Sequence, residues 1–384
     1  MIAALSEVQL LIVTGVSTAT VMSGLALAAI RHRRHLASLP IRIHIAGTRG
    51  KTSVTRLIWG GLRGGGIKAV AKTTGTVPVL LRPDGTESVW PRWGPANIAE
   101  QWRFVRTAVA LDARAIVLEC MAIQPEFLWA SERYAARATI TVITNLRPDH
   151  GEAMPTELSS MAAALSLTVP QGGVLVLSKE AATEPVLAAA RARNTRVEIV
   201  DSDARSPDDI NRLLALAVCR EVGVPDDQAE HGMADAGSDI GALQINELEL
   251  EGCRLRLISA FACNDTVSLQ MLWKQLHDPS IDRVLVIMNA RSDRPQRTIA
   301  FLQMLRSLET PMQLFFPRRG FARFARAAGF ADTQIRTLPS NDPKVGLIEL
   351  ARNGGHRAEV WGIGNFQGFG EAMARHLLLR RPAC

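Results

Sequence analysis

One stretch near the N-terminus constrains the fold more than any other: residues 41–53, which read IRIHIAGTRGKTS. Apolar β-branched residues alternate with polar ones, and two glycines, a lysine and several hydroxyl side chains follow them. This pattern predicts a strand, a phosphate-binding loop and the first turn of a helix. We therefore expect the chain to bind a nucleotide.

The loop chemistry follows from its residue types. Glycines let the backbone bend around a polyphosphate, Lys51 can bridge the outer phosphates, and the Thr52 hydroxyl can join the shell of a Mg²⁺ ion. The following helix presents its positive end to the anion. The usual Walker A spacing places a glycine where this chain has Ile45. The predicted phosphate loop is thus a shorter form, consisting of Gly47, Thr48, Arg49, Gly50, Lys51, Thr52 and Ser53.

Apolar runs at 115–118 and 138–143 read as buried strands that end in Glu119 and in Thr144-Asn145. They alternate with helical patterns at 54–62 and 97–111, which indicates a parallel sheet with helices on both faces. In such sheets the ligand lies beyond the carboxyl ends of the strands. The pattern places Thr48, Thr74, Glu119 and Asn145 at that edge.

Two side chains are candidate metal ligands besides Thr52. Glu119 can complete a Mg²⁺ shell because that ion prefers hard oxygen ligands. His150, beside Asp149 in the polar segment 144–152, is a candidate second metal ligand or phosphate contact. The alternatives are a solvated strand-end glutamate and a surface turn that happens to contain a histidine.

The rest of the chain predicts a second, smaller α/β domain. Residues 81–95 read as a turn-rich surface excursion, and 225–241 as a loop or linker. Strands are expected at 173–177 and 196–200, a helix at 208–222, and a hairpin at 247–257. A new α/β unit with strands at 284–288, 313–316 and 358–362 begins near Asp265. We therefore predict an N-terminal anchor over 1–36, a central domain over 37–263 and a C-terminal domain over 264–384.

Three segments of the C-terminal domain are candidates for ligand contact. Asn264 and Asp265 precede a helix, where a capping role is the alternative. The segment 289–295 follows a strand and offers Arg291 and Arg294 to phosphates. The segment 362–368 is glycine-rich and would allow a ligand to approach the backbone. All three are expected at strand ends of the same domain.

Residues 8–30 carry no charge, and the basic run Arg31-His32-Arg33-Arg34-His35 follows them. A membrane-spanning helix needs about 20 such residues. A cleavable signal carries its charge ahead of the apolar core, which is the opposite order. The positive-inside rule then predicts a single-pass protein of the cell membrane, with the domains after the basic run in the cytoplasm. A surface helix is the alternative.

The composition of the chain limits which classes of molecule it is expected to bind. The net charge of +7 favours an anionic partner such as a membrane surface or an acidic substrate. One tyrosine and the lack of an arginine-rich tract with interleaved aromatics argue against nucleic acid. Five scattered cysteines without a Cys-x-x-Cys spacing argue against a disulfide framework and a zinc site.

Taken together, the phosphate loop, the strand ending in Glu119 and the segment TNLRPDH at 144–150 resemble the Mur ligase family, which includes folylpolyglutamate synthase. The short phosphate loop is typical of that family. The N-terminal anchor, Asn264-Asp265 and the segment WGIGNFQ at 361–367 resemble those members that polymerise glutamate through γ-linked amides.

The resemblance implies a P-loop ATPase domain of Mur-ligase type followed by a smaller C-terminal α/β domain, with a transmembrane helix in front. It implies that ATP with Mg²⁺, or Mn²⁺ in its place, phosphorylates the terminal carboxylate of a polyglutamate chain, and that glutamate then attacks the acyl phosphate. Lys51, Glu119 and His150 would be the catalytic residues, with Thr52, Glu119 and His150 on metal. Asp265 and Arg291 would reach the nucleotide from the last domain.

Two departures from the family stand out. Many members have a carbamoylated lysine after the histidine motif, yet residues 154–177 contain no lysine. Another group must therefore complete a second metal site, if one forms. The phosphate loop also begins too early for the nucleotide-sugar domain of the cell-wall enzymes, so a peptidoglycan precursor is a poor substrate.

The sequence leaves two other functions open. One is a membrane-bound P-loop ATPase that energises transport or assembly without making an amide bond. The other is a soluble folate-type glutamyl ligase, against which the segment 8–30 argues. For the polymerising ligase we also expect integral-membrane partner subunits, because one anchor helix cannot form an export path for a long polyanion.

Overall fold

The computed structural model describes residues 7–75, 78–92, 97–122, 124–146, 157–200, 207–237, 241, 243–263, 266–281 and 283–378. The chain divides into two compact units, Met1–Ser238 and Asp239–Cys384. Each unit is built around its own sheet.

The first unit contains an eight-stranded sheet in the order β4-β3-β2-β5-β1-β6-β7-β8. The six strands from β2 across to β8 run parallel, and β3 and β4 are antiparallel additions at one edge. The strands are β1 (Ile41–Ala46), β2 (Ala69–Lys72), β3 (Val79–Leu81), β4 (Glu87–Val89), β5 (Ala115–Glu119), β6 (Ile140–Ile143), β7 (Val174–Ser178) and β8 (Arg196–Val200).

The helices of this unit are α1 (Glu7–Ala37), α2 (Lys51–Gly64), α3 (Glu100–Ala110), α4 (Pro125–Ala130), α5 (Leu158–Ser166), α6 (Glu184–Ala192), α7 (Pro207–Glu221) and α8 (Asp226–Asp235). Helices α2 to α6 connect the strands, as the alternation of patterns predicted, while α1 precedes β1, and α7 and α8 follow β8. A six-residue π-helical segment, Ser131–Ala136, continues α4. The central strands are almost completely buried, which suits their continuous apolar sequences.

One prediction for this unit was incomplete and one was wrong. The segment 81–95, expected as a turn-rich surface excursion, is exposed or half-buried at 82–89 but also contains the short strand β4 and the last residue of β3. The segment 225–241, expected as a loop, contains α8. This helix lies so close to α2 that a Cβ atom on Gly60 would come within 2.4 Å of the Gly232 carbonyl oxygen. Glycine on both helices permits this approach, and a search for amphipathic periodicity does not detect it.

The second unit contains a six-stranded sheet in the order β13-β12-β11-β14-β10-β9. The strands are β9 (Gln244–Leu250), β10 (Cys253–Ser259), β11 (Val284–Met288), β12 (Met312–Phe316), β13 (Ile335–Thr337) and β14 (Arg357–Ile363). The helices are α9 (Thr266–Leu276), α10 (Pro295–Ser307), α11 (Ala322–Ala327), α12 (Pro343–Asn353) and α13 (Phe369–Leu378). All neighbouring strands are parallel except β9 and β10, which form the predicted hairpin.

The hairpin lies in a different unit from the one we predicted. We placed the boundary between 263 and 264, which puts the hairpin in the central domain. In the structure β10 pairs in parallel with β14, so the hairpin forms one edge of the second sheet. The division between units falls at Ser238 and Asp239. Pairing between segments a hundred residues apart cannot be read from local patterns, which explains the difference.

The basic end of α1 is attached to the first unit. His32 is buried, stacks on Trp102 with ring centroids 4.5 Å apart, and places Nε2 3.1 Å from the Ala135 carbonyl oxygen. Leu36 is buried as well. The apolar side chains between 11 and 30 are exposed except for the half-buried Ala29, and Leu11–Ala37 is long and apolar enough to cross a membrane by length and composition. A signal sequence would meet the same criteria.

Candidate nucleotide-binding site

The predicted phosphate loop connects β1 to α2. Gly47 and Gly50 adopt positive φ angles of 121° and 78°, which non-glycine residues rarely take. Space is also limited, because a Cβ atom on Gly47 would lie 2.2 Å from Thr144 Oγ1, and one on Gly50 would lie 2.6 Å from Asn211 Oδ1. Both glycines are therefore required by conformation and by contact.

The start of α2 is arranged for an anion. Gly50 caps the helix without a side-chain hydrogen bond, and the first turn contains no acidic residue. The first amides of a helix have no partner within it, so they remain available to a phosphate. Lys51 Nζ donates to the carbonyl oxygens of Gly47 at 2.7 Å and Thr48 at 3.0 Å. Its ammonium group is thereby held against the loop, and Ser53 lies in the same first turn.

Two residues after β6 fix the shape of the loop. Asn145 Oδ1 accepts from Thr48 Oγ1 at 2.6 Å and from Arg49 N at 3.0 Å, while Asn145 Nδ2 donates to Arg49 O at 3.0 Å. Thr144 Oγ1 donates to the same Arg49 carbonyl at 2.6 Å. The sequence placed Asn145 at the correct edge of the sheet but did not predict this bracing role. Its signal was the polar pair directly after an apolar strand.

The predicted pair of Thr52 and Glu119 is present. Glu119 ends β5 beside β1, and its two carboxylate oxygens lie 3.0 and 3.1 Å from Thr52 Oγ1. Thr74 N donates to Glu119 Oε2 at 2.7 Å. Burial raises the pKa of Glu119, while Lys51 and the donors from Thr74 and Thr52 oppose that rise.

This donor set fits a hard divalent cation. A buried carboxylate beside a hydroxyl and an ammonium group offers oxygen ligands at the end of the phosphate loop. Among the described residues, no group of three or more His, Cys, Asp or Glu side chains gathers. Thr52 and Glu119 would therefore supply two ligands, and the phosphate oxygens and other groups the remainder.

A buried polar network beneath the site was not predicted. His44, in the middle of β1, places Nδ1 3.0 Å from Glu132 Oε2 and Nε2 3.1 Å from Ser131 Oγ. Ser131 also bonds to Gln101. Burial disfavours protonation of the imidazole, but contacts with Cys120 and Glu132 raise the pKa of His44 to about 10. The network connects β1, through His44, and Cys120, the residue after Glu119, to α3 and to the π-helical segment.

Another buried ion pair lies at the end of β2. Lys72 is completely buried, with Nζ 3.0 Å from Glu100 Oε2, and Arg92 Nε donates to Glu100 Oε1 at 2.8 Å. Burial lowers the pKa of Lys72, and the Glu100 carboxylate opposes the change. This pair joins α3 to the strand that precedes Thr74.

In the second unit, the ends of β11 and β14 converge as predicted. Asn289 Nδ2 donates to the carbonyl oxygens of Asn365 at 2.6 Å and Gln367 at 2.9 Å. Arg291 Nη1 donates to Gln367 Oε1 at 2.6 Å, and Arg291 also pairs with Asp293. The contact of Arg291 with a nucleotide stays a prediction. The predicted site residues His150, Asn264 and Asp265 lie outside the described residues.

Comparison with known proteins identifies the family. Residues 245–379 match the family model of the poly-gamma-glutamate synthase CapB C-terminal domain. Over 359 residues the chain is 31% identical to PGA synthase CapB of Bacillus subtilis (strain 168), covering 89% of this chain and 91% of that protein. The chain belongs to the CapB family. A further CapB relative, the capsule biosynthesis protein CapB of Bacillus anthracis, is 34% identical over 284 residues, covering 70% of this chain and 61% of that protein.

The fold of this CapB-family chain is also found in solved structures. Bifunctional folylpolyglutamate synthase/dihydrofolate synthase from Yersinia pestis, complexed with AMPPNP and Mn, aligns with a TM-score of 0.60 at 15% identity. The alignment covers 91% of this chain and 92% of that one. The predicted fold class and the resemblance to Mur ligases are confirmed.

Proposed function

We propose that this CapB-family chain lengthens polyglutamate by forming γ-amide bonds through an acyl-phosphate intermediate at the cytoplasmic face of the cell membrane. As a CapB-family member with a Mur-ligase fold, the chain is an ATP-dependent amide ligase. The observation that carries the proposed chemistry is the arrangement of the phosphate loop, with Lys51 against its backbone and the Thr52–Glu119 pair at its end.

The chemical problem is that a carboxylate is a poor electrophile. In the proposed first step, a carboxylate oxygen at the polymer end attacks the γ-phosphorus of ATP, and ADP leaves. In the second, the amine of glutamate attacks the acyl carbon, phosphate leaves and the nitrogen loses a proton. The loop amides, Lys51 and the start of α2 would hold the phosphates in line and stabilise their charge.

Thr52 and Glu119 would hold Mg²⁺, which supplies Lewis-acid stabilisation of the transferring phosphoryl group. Burial of Glu119 favours this role, because an uncompensated buried carboxylate is costly and a cation beside it removes that cost. His150 is the proposed further metal ligand, near the acyl phosphate. With no lysine in 154–177, we propose that a group other than the family's carbamoylated lysine completes that second site.

For localisation, we propose that α1 spans the cell membrane once, with both units in the cytoplasm. The exposed apolar segment 11–30 and the basic run after it support this orientation. Glutamate and the anionic polyglutamate chain are the proposed substrates, and integral-membrane subunits are the proposed export partners.

The test is ADP release by the purified full chain with ATP, Mg²⁺ and glutamate. We expect release that requires glutamate, together with a γ-linked polymer. Lys51→Ala should abolish turnover, whereas Lys68→Ala, which removes an exposed lysine of the same unit paired with Asp112, should not. His150→Ala should slow acyl transfer more than it weakens nucleotide binding.

Two results would contradict the proposal. Glutamate-independent turnover without polymer would point instead to a membrane-bound P-loop ATPase that energises transport or assembly. Full activity and tight ATP binding in Lys51→Ala would show that the nucleotide site is assigned to the wrong loop.

A further inference from the structure

A second charged site lies in the first unit at the sheet edge opposite the phosphate loop. It is a cleft of about 990 Å³ formed where strands β1, β6, β7 and β8 begin, and the end of α1 contributes to its wall. Six arginines line it: Arg33, Arg42, Arg133, Arg137, Arg193 and Arg196. We call it the arginine cleft.

The positive charge of the cleft is only partly compensated. Arg196 pairs with Glu221 and lies 4.0 Å from a carboxylate oxygen of Glu198. Among the described residues that line the cleft, one is acidic, Glu132. Its Oε2 lies within hydrogen-bond distance of His44 Nδ1, and its Oε1 accepts from the Ala138 amide. Within the described chain, Arg33, Arg133 and Arg137 have no carboxylate within ion-pair distance, and all three are exposed. Such a concentration of like charge around a concave surface favours an anionic ligand.

Two other arginines make the cleft rigid. Arg42 donates to the carbonyl oxygens of Arg137 at 2.8 Å and Leu39 at 2.7 Å. Arg193 Nη1 donates to the carbonyl oxygens of Ser166 and Leu167, each at 3.3 Å. These bonds fix the segment that follows α1 and the end of α5 at the rim. The exposed arginines are therefore displayed on a preformed frame.

The position of the cleft indicates which anion it meets. Arg33 is three residues beyond Ile30, the last residue of the uncharged segment, which corresponds to about 4.5 Å along a helix axis. Trp129 lines the cleft and packs edge-on against Tyr134, with ring centroids 5.2 Å apart, and both side chains are exposed. Tryptophan and tyrosine are enriched at membrane–water interfaces.

We propose that the arginine cleft binds the phosphate headgroup of anionic phospholipids, with Trp129 and Tyr134 in the membrane interface. Arginine is suited to phosphate because its planar guanidinium donates two parallel hydrogen bonds. This inference rests on the proposed membrane span of α1 but not on the proposed ligase chemistry. It adds a lipid contact that holds the first unit against the bilayer.

The experiment measures lipid retention by the full chain in neutral detergent. The protein is equilibrated with micelles that contain equal amounts of phosphatidylglycerol and phosphatidylcholine, and co-purified lipid is quantified by mass spectrometry. We expect the wild type to retain phosphatidylglycerol preferentially. The double variant Arg133→Gln/Arg137→Gln should retain phosphatidylglycerol less strongly, by about fivefold for each arginine, or roughly 25-fold for the pair.

The matched control replaces two exposed arginines of the second unit, Arg318→Gln and Arg319→Gln, and should retain phosphatidylglycerol as the wild type does. Equal retention of both lipids by the wild type, or unchanged retention in the Arg133/Arg137 variant, would overturn the proposal. Displacement of phosphatidylglycerol by poly-γ-glutamate would also overturn it, because the cleft would then be a polymer site.

Two further measurements separate this proposal from the others. Glutamate-dependent ADP release by the same preparations tests the ligase chemistry, and we expect the Arg133/Arg137 variant to keep it. Alkaline extraction of membranes tests the span of α1. Loss of ADP release with arginine-dependent lipid retention intact would remove the ligase proposal and leave this one standing. Release of the chain from membranes by alkaline extraction would remove the span of α1 and, with it, the lipid contact proposed here.

Discussion

Asn145 offers the sharpest test of how the phosphate loop is held. Asn145→Ala removes three hydrogen bonds to the loop, from Thr48 Oγ1, from Arg49 N and to Arg49 O. Each such bond contributes about 1 kcal/mol net, so the three together stabilise the loop conformation by about 3 kcal/mol. Thr144 still donates to Arg49 O in the variant, which keeps the loss local.

If the nucleotide requires that loop conformation, the lost stabilisation appears in its affinity. A cost of about 3 kcal/mol weakens binding by roughly 150-fold, and partial rearrangement of the loop reduces the effect to about tenfold. Isothermal titration calorimetry with a non-hydrolysable ATP analogue and Mg²⁺ measures the affinity, and urea unfolding measures the stability of the same samples.

Asn353→Ala is the matched control. The Asn353 amide donates only within α12, to the backbone oxygen of Glu349 at 2.8 Å and to its side chain at 3.0 Å. It should lower stability slightly and leave nucleotide affinity unchanged. Asn145→Ala with an affinity within twofold of the wild type would refute the reasoning. A double-mutant cycle with Thr48→Val should give a coupling energy of about 1 kcal/mol.

Three further predictions follow from packing and from pKa shifts. Gly60→Ala should lower the free energy of unfolding by about 1–3 kcal/mol, because the added Cβ would collide with α8. Gly346→Ala is the control and should lower it less, because the nearest atom to its added Cβ is 3.2 Å away. Urea denaturation measures the free energy of unfolding of both variants. The neighbours of His44 raise its pKa to about 10. Protonated His44 therefore stabilises the folded state fully below the unfolded pKa of 6.5, and this stabilisation is lost as the pH rises through 10. His44→Gln should flatten the dependence of the free energy of unfolding on pH between about pH 7 and 10. Burial raises the pKa of Cys219 to about 12, so iodoacetamide at pH 8 should modify Cys263 and leave Cys219 intact until urea is added, as peptide mass spectrometry would show.

The parts of the fold that could be predicted are those that local patterns determine. The strand before Gly47, the helix after Gly50 and the strand that ends in Glu119 each have a sequence signal that does not depend on distant residues. Parallel strands bring their carboxyl ends to one edge, so the proximity of Thr52 and Glu119 also followed.

The parts that could not be predicted depend on which elements are neighbours. The bracing by Asn145 requires β6 to lie beside β1, and a sequence pattern does not give strand order. The contact of Gly60 with Gly232 joins two helices separated by most of the unit. The pairing of β10 with β14 likewise decides the domain boundary. In each case a long-range contact decides the outcome.

Strand β1 relates the two functional edges that we propose for the first unit. Arg42, near the start of β1, donates a hydrogen bond to the Arg137 carbonyl oxygen at the rim of the arginine cleft. Gly47, directly after the end of β1, begins the phosphate loop. Gly47 is five positions beyond Arg42, which corresponds to about 17 Å along the strand. Under the proposed membrane arrangement, this distance is about twice the screening length of about 8 Å at physiological ionic strength. Anionic lipid at the arginine cleft should therefore strengthen the attachment of the first unit to the bilayer without changing the rate of the reaction at the phosphate loop. A kcat that depends on the anionic-lipid content of detergent-free vesicles would contradict this independence of the two edges.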